Sequence, residues 1–208
     1  MLTLIFLIFL TVAAYFIGSL SSGVLVCRYM KLPDPRTEGS KNPGATNVMR
    51  VGGRNAAILT LVGDMLKGFI PVGLVMLMGF NYLIVAFVII GVVVGHIFPY
   101  FFEFRGGKGV ATSFGALLAV SFWLALVALA AWVVTFFITR ISSLSALIAM
   151  GIVAVIGWAV VPFTIYLAIL VCAGLLVWRH WGNIERLKKG EEAKFKSEKT
   201  TTSDSEND

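Results

Sequence analysis

Apolar residues run through this chain in long unbroken stretches, at roughly 2–27, 55–79, 82–102, 110–139, 142–160 and 161–178, with short polar segments between them. A membrane-spanning helix needs roughly 17–25 apolar residues. The pattern therefore predicts an all-α, polytopic integral membrane helical bundle. The runs are continuous rather than alternating, which argues against a spanning β-barrel. Composition agrees, because the chain is 58% hydrophobic and 13% charged, whereas a soluble domain carries about 25% charged residues. Residues 1–27 lack a positive n-region and a small-x-small cleavage site, so they read as a retained first span rather than a signal peptide.

Charge sets the expected orientation. Arg28 to Arg54 is a polar loop holding Arg28, Lys31, Arg36, Lys41, Arg50 and Arg54 against Asp34 and Glu38. Arg105 with Lys108, then Arg140, then Arg179 to Lys189 form three further basic stretches, while the turn Gly79-Phe80-Asn81-Tyr82 carries no charge. The positive-inside rule places the basic stretches in the cytoplasm and the uncharged turn outside. The N-terminus is then outside, the C-terminus cytoplasmic, and the number of spans odd.

Segment 110–139 strains this scheme, since both its ends fall inside. Two crossings of about 14 residues reach only ~20 Å each, short of a ~30 Å hydrocarbon core. Gly115, Ser121 and Trp123 offer no strong turn there. The runs 142–160 and 161–178, broken near Pro162, fit two spans more comfortably. The expectation is seven transmembrane helices, with five plus a re-entrant segment as the alternative. Residues 1–187 read as one transmembrane domain. Residues 188–208, charged and rich in Ser and Thr, read as a disordered cytoplasmic tail.

The net charge of +6 does not point to nucleic acid, because the basic residues are scattered through interhelical loops. Loops facing anionic headgroups or anionic substrates account for it better. Cys27 and Cys172 lie in apolar runs and read as buried free thiols, and no CxxC or Cys/His cluster suggests a metal. No cofactor is expected.

Three polar clusters interrupt the apolar pattern. Gly39-Ser40-Lys41-Asn42-Pro43-Gly44-Ala45-Thr46-Asn47, followed by Arg50, combines turn-forming glycines with donors. Successive exposed N–H groups in such a turn make an anion-binding concavity. Ser40, Asn42, Thr46 and Asn47 add neutral donors, and Arg50 can grip a phosphate bidentately. Gly106-Gly107-Lys108-Gly109 directly precedes an apolar helix, an arrangement that favours phosphate at the helix N-terminus. It is not a Walker A loop, because Gly109 follows Lys108. The third cluster is His180-Trp181-Gly182-Asn183-Ile184, where the i, i+3 spacing sets His180 and Asn183 on one helical face. His180 and Glu185 also faintly echo the His-x4-Asp motif of soluble-type glycerolipid acyltransferases, with the acid mismatched.

Ionisable groups inside spans are costly and are usually paired or functional. Asp64 and Lys67, at i, i+3, read as a mutual ion pair supporting the site, and His96 in Gly95-His96-Ile97-Phe98-Pro99 as a structural group bonded to backbone. One of Ser142, Ser143 and Ser145 is expected to cap the helix after Arg140.

Together the clusters resemble the bacterial acyl-phosphate:glycerol-3-phosphate acyltransferases, the PlsY family. The likeness runs in order from residue 18 to 192. It also takes in Val110-Ala111-Thr112, Asp64 to Gly68, Arg140 to Ser143, and Arg186-Leu187. It implies a multi-pass enzyme of the bacterial inner (cytoplasmic) membrane with its site facing the cytoplasm. Such an enzyme moves a fatty acyl group from acyl phosphate to the 1-hydroxyl of sn-glycerol 3-phosphate. The products are lysophosphatidic acid and phosphate, in phospholipid biosynthesis. A functional link to an acyl-phosphate synthase is implied with it. By motif, Ser40, Arg50, Lys108, Ser143, His180 and Asn183 would line the site.

The residue inventory suits that chemistry. Acyl phosphate carries its own leaving group, so no protein nucleophile is needed, and no G-x-S-x-G elbow or Ser/His/Asp triad is evident. Holding two anions together can supply ~7–11 kcal/mol, and one oxyanion donor ~3–4 kcal/mol. In this reading Lys108 and Arg50 bind phosphates, with Gly106, Gly107 and Gly109 in the phosphate loop. Ser40, Ser143 and Asn183 position the glycerol and the acyl carbonyl. His180 is the general base, given an imidazole pKa of about 6.5, or else a substrate phosphate takes the proton and His180 orients the hydroxyl. A transporter or flippase for a phosphorylated metabolite is the main non-enzyme alternative, but no internal repeat with matching broken helices is found. A CDP-alcohol phosphotransferase would need an acidic metal signature that is missing.

Overall fold

The computed structural model describes residues 1–195, and they form helices with no strand among them. Helix α1 (Leu2–Gly18) and the short α2 (Ser22–Tyr29) are followed by the polar loop and by the long α3 (Ala45–Leu77). Helix α4 (Tyr82–Ile97) ends in a single 3-10 turn at Tyr100–Phe102. Helices α5 (Val110–Val120) and α6 (Phe122–Thr139) follow, then α7 (Ser142–Ile156), α8 (Phe163–Arg179) and α9 (Trp181–Lys189).

Among the described residues, five stretches are long and apolar enough to cross a membrane: Leu2–Tyr29, Ala45–Leu77, Tyr82–Phe102, Phe122–Thr139 and Ser142–Ala159. The pair α8–α9 makes a sixth, bent by 56° at His180. Helix α5 has 11 residues, about 16 Å at ~1.5 Å per residue, and is too short to cross a ~30 Å core alone.

The segment 110–139 does break, at Ser121, although the sequence offers no strong turn there. Ser121 adopts an extended conformation (φ −151°, ψ 104°) and its hydroxyl accepts the Leu124 N–H at 3.3 Å, capping α6. The cap satisfies a donor that a helix start leaves orphaned, so one serine turns the chain without Gly or Pro. Both ends of the segment reach one face of the protein. Lys108, before α5, bonds Asn183, while Ser142 and Ser143, after α6, meet Thr46 and Glu192.

Close helix contacts rest on glycine. A Cβ at Gly68 on α3 would lie 2.1 Å from Thr112 O, and one at Gly115 on α5 would lie 2.0 Å from Met65 O. Helices α1 and α4 approach in the same way, where a Cβ at Gly18 would strike Val92 O and one at Gly95 would strike Tyr15 O. Lipid supplies no hydrophobic drive between helices, so packing of small residues holds them together. The buried core gathers Val88, Val92, Leu124, Ala125 and Ile165 from α4, α6 and α8. Leu59, Val62, Phe137 and Val155 are among the large apolar residues left exposed. Cys27 and Cys172 are buried free thiols, as expected.

The tail begins later than the sequence suggested. Lys188 and Lys189 belong to α9, and Gly190, in the left-handed region (φ 72°), ends that helix. Glu191 N–H then donates to Arg186 O, and Phe195 N–H to Arg140 O. Helix capping by Gly190 and these backbone bonds fix 190–195 against the bundle. The rest of the expected tail, 196–208, lies outside the described residues.

Candidate active site

The loop before α3 is shaped from within. Asn47 is buried and its side chain is spent on the loop itself: Oδ1 accepts Ser40 N–H at 2.8 Å, and Nδ2 donates to Pro35 O at 2.9 Å and Glu38 O at 3.0 Å. Gly39 takes a left-handed conformation (φ 59°) beside it, where a Cβ would strike Asn47 Oδ1. Asn47 therefore shapes the loop, and its expected role as a phosphate donor is not supported by its contacts. Thr46 is paired with Ser142 at 3.1 Å. Asn42 Oδ1 is buried without a hydrogen-bond partner among the described residues, and Asn42, Ser40 and exposed Arg50 face a common cavity.

The glycine loop before α5 divides its labour. Gly107 N–H donates to His96 O at 3.2 Å, and Arg179 donates to Gly107 O at 3.2 Å and Gly106 O at 3.0 Å. Gly106 and Gly107 are buried behind the cavity wall, so the N–H of Gly107 is not free for a phosphate as the sequence suggested. They are glycines because His96 leaves no room. A Cβ at Gly107 would lie 2.2 Å from His96 Nε2, and one at Gly106 would lie 2.1 Å from His96 O. Gly109 (φ 88°) starts α5, and Lys108 and Gly109 reach the cavity.

Lys108 Nζ donates to Asn183 Oδ1, and Asn183 Nδ2 donates to Glu192. Glu192 also accepts from Ser143 Oγ at 2.6 Å and from Arg186 Nε at 2.7 Å, and its side chain is only 9% exposed. Burial pushes the Glu192 carboxyl up, but hydrogen bonds from Ser143, Asn183 and Arg186 outweigh it and hold the group below its ordinary value. Burial drives the Lys108 ammonium down to about 8. Glu192 opposes that fall, while Arg186, Arg179 and Arg50 add to it.

His180, just beyond the membrane-spanning α8, is 2% exposed. Its Nδ1 lies 2.7 Å from Leu176 O. A carbonyl only accepts, so Nδ1 carries the proton and Nε2 keeps its lone pair, on a residue that lines the cavity. Burial first, then the charge of Lys108, lowers the imidazole to about 4. Glu185 does not complete a dyad with it; this exposed residue accepts from Trp181 Nε1.

The expected ion pair between Asp64 and Lys67 forms. Lys67 Nζ and Asp64 Oδ1 are 2.8 Å apart, and His96 Nδ1 lies 3.6 Å from Asp64 Oδ1 and 3.1 Å from Thr112 Oγ1. His96 thus bonds a side-chain hydroxyl, and its own carbonyl serves the glycine loop. None of the three serines caps α7: Ser145 donates to Ile141 O, while Ser142 and Ser143 are taken by Thr46 and Glu192.

All three clusters meet on one cavity of about 930 Å³. Its polar end gathers Ser40, Arg50, Lys108, Ser143, His180 and Asn183. Its apolar part runs between α5, α6, α7 and α8 past Phe114, Trp132 and Met150 to Val153 and Ile165. From Arg179 to Ile165 along α8 is about 21 Å at ~1.5 Å per residue. Such a space takes a charged head at one end and a long apolar chain along the other. Sequence reasoning missed Glu192 and the role of Arg179. The available signal was Gly190 directly after Lys188-Lys189, a helix C-terminus that reverses the chain toward Asn183.

Comparison with known proteins agrees with this geometry. Residues 8–190 match the family profile described as glycerol-3-phosphate acyltransferase. A relative of that description from Coxiella burnetii is 50% identical over 186 residues, covering 89% of this chain and 96% of the relative. One from Pasteurella multocida is 47% identical over 191 residues, covering 91% and 94%. A crystal structure of PlsY, described as an integral membrane glycerol 3-phosphate acyltransferase in its glycerol 3-phosphate form, superposes with a TM-score of 0.86. That pair is 36% identical, over 91% of this chain and 96% of the other. The lysophosphatidic acid form of the same protein gives 0.84 at the same identity. With spans, site clusters and sequence in agreement along nearly its whole length, this chain belongs to the PlsY family of integral membrane glycerol-3-phosphate acyltransferases.

Proposed function

We propose that this protein transfers a fatty acyl group from acyl phosphate to the sn-1 hydroxyl of glycerol 3-phosphate. The observation that carries the reading is one cavity with cations at its mouth and a long apolar slot behind them. Two anionic headgroups need Arg50, Lys108 and the neighbouring Arg179 and Arg186, while the acyl chain lies among Phe114, Trp132, Met150 and Val153. The 1-hydroxyl oxygen attacks the acyl carbonyl, the bond from that carbon to the phosphate oxygen breaks, and lysophosphatidic acid and inorganic phosphate leave.

Direct transfer fits the side chains. His180 Nδ1 is bound to a backbone carbonyl, and no serine hydroxyl is hydrogen-bonded to Nε2 among the described residues. An imidazole held near 4 is a weak base at neutral pH. His180 Nε2 then accepts from the glycerol hydroxyl and aims it, and a substrate phosphate takes the proton. Lys108 and Arg50 hold phosphate, and Asn183, Ser143 and Ser40 position the glycerol and the carbonyl oxygen. Asn42 and Thr46 border the same mouth. Gly106, Gly107 and Gly109 let the Lys108 loop pack closely.

The topology that suits this site has seven membrane segments, with the short α5 reaching part-way through and turning at Ser121 into α6, the N-terminus outside and the C-terminus cytoplasmic. The basic loops and the cavity mouth then share the cytoplasmic face of a bacterial inner membrane. A soluble acyl-phosphate synthase can deliver the donor there. Purified protein in detergent or lipid, given palmitoyl phosphate and labelled glycerol 3-phosphate without coenzyme A, should make lysophosphatidic acid, and Lys108→Ala should not. Product formed only with a thioester donor would overturn the donor assignment.

A further inference from the structure

In the wall of the cavity, with Asp64 and His96 lining it and Lys67 set behind them, lies a charge cluster to which the reaction assigns no chemistry. Asp64 and Lys67 on α3 and His96 on α4 are each less than one-tenth exposed. Replacing a buried ion pair by well-packed apolar residues often leaves a fold equally stable or more so, so holding helices together does not by itself account for one inside a membrane bundle. What these groups do that apolar ones cannot is tie down backbone on two sides.

On one side, Lys67 Nζ donates to Leu20 O at 2.7 Å, in the break between α1 and α2. That bond sets where α2 begins. Gly23, in the first turn of α2, packs so closely on the first loop that a Cβ there would lie 1.9 Å from Pro43 O. Pro43 stands between Asn42 and Gly44, which both line the cavity.

On the other side, Asp64 faces His96, and the His96 ring lies directly under Gly107 while its carbonyl takes the Gly107 N–H. Gly107 immediately precedes Lys108. One ion pair thus reaches both loops that border the polar end of the cavity.

We propose that Asp64, Lys67 and His96 form a positioning strut that fixes the Asn42–Gly44 loop and the Gly106–Lys108 loop relative to one another. The three are positioning residues, acting on glycerol 3-phosphate through the loops. The strut rests on that substrate binding in this cavity and is independent of the acyl donor.

The test uses the full chain in detergent, measuring kcat, KM for glycerol 3-phosphate and thermal midpoint together. Asp64→Leu/Lys67→Met should keep or raise the midpoint while KM rises about 5–30-fold and kcat changes less. Gly107→Ala should also raise KM, because its new methyl strikes the His96 ring. In Gly107→Ala/His96→Ala the KM should fall back toward that of His96→Ala alone, because the three atoms nearest the new methyl all belong to the His96 ring. A merely structural role would lower the midpoint and the active fraction without moving KM. Unchanged KM in the apolar pair overturns the strut, as does strict additivity of Gly107→Ala with His96→Ala. The glycine cycle stands even where the apolar pair does not fold. If acyl phosphate proves not to be the donor, titration calorimetry of glycerol 3-phosphate reads the same coupling.

Discussion

Lys108 donates to the side-chain oxygen of Asn183, 75 positions away in sequence, and the amide nitrogen of Asn183 donates to Glu192. An amide placed between an ammonium and a carboxylate keeps the two from collapsing onto each other. Lys108 is thereby held in place with its charge still available to a phosphate.

That charge has a pH limit. Burial lowers the Lys108 ammonium to about 8, so in the empty site the cation is lost as pH rises through that value. KM for glycerol 3-phosphate should be flat between about pH 6.5 and 7.5, where the substrate is a dianion, and rise about tenfold per pH unit well above pH 8. Lys108→Arg, charged throughout this range, should show a poorer but pH-independent KM. A wild-type KM unchanged to pH 9.5 would show that Lys108 titrates above that range, and a KM unchanged in Lys108→Ala would show that Lys108 does not bind the phosphate.

His180 sits near 4 because it is buried beside Lys108. It is neutral above that pH and protonated only below it. A phosphate monoester takes its second proton at about pH 6. If substrate phosphate is the proton acceptor, kcat should fall on acidification through about pH 6, and the fall should persist in His180→Gln. A limb near pH 4 that disappears in His180→Gln would assign the base to His180.

Glu192 gathers Ser143, Asn183 and Arg186 at one carboxylate. Hydrogen bonds to a charged group are worth about 1.5–3 kcal/mol. Glu192→Ala should lower kcat/KM by about 10–100-fold, on the order of 1.4–2.7 kcal/mol, with Lys108 and Asn183 chemically intact. Activity within about twofold of wild type would show that this carboxylate does not organise the site.

Gly68 and Gly115 allow α3 and α5 to touch backbone to backbone. Overpacking of this kind costs about 1–3 kcal/mol. Gly115→Val should lower the thermal midpoint in detergent and the yield of folded protein, whereas Gly151→Ala, where a Cβ meets nothing within 4 Å, should change neither.

Residues 1–195 illustrate how far a one-dimensional pattern carries. Long apolar runs fix the membrane class, because a bilayer admits only helices or closed barrels and unbroken apolar runs fit the helix alone. The glycine-and-base clusters stand out against that background and supply Ser40, Arg50, Lys108, His180 and Asn183 as candidates, whereas Ser143 comes only from the family resemblance. The Asp64–Lys67 pair was also legible, since i, i+3 spacing within one helix is a local property.

Contacts between distant segments were not legible. Asn47 looked like a ligand donor and shapes its own loop instead, because Ser40, Pro35 and Glu38 happen to fold around it. Gly107 looked like a phosphate cradle, yet its N–H is already taken by His96 and its missing Cβ makes room for that ring. Ser121 turned a segment that seemed to lack a turn, by a cap that depends only on hydroxyl geometry. Glu192 reads in sequence as part of a tail, whereas its carboxylate accepts from Ser143, Asn183 and Arg186. Sequence alone determined which residues are apolar, which are charged and how they are spaced along a helix. Only the tertiary structure decided which polar atoms remain free, because a hydrogen bond is spent or spared by whatever neighbour the fold brings within about 3 Å.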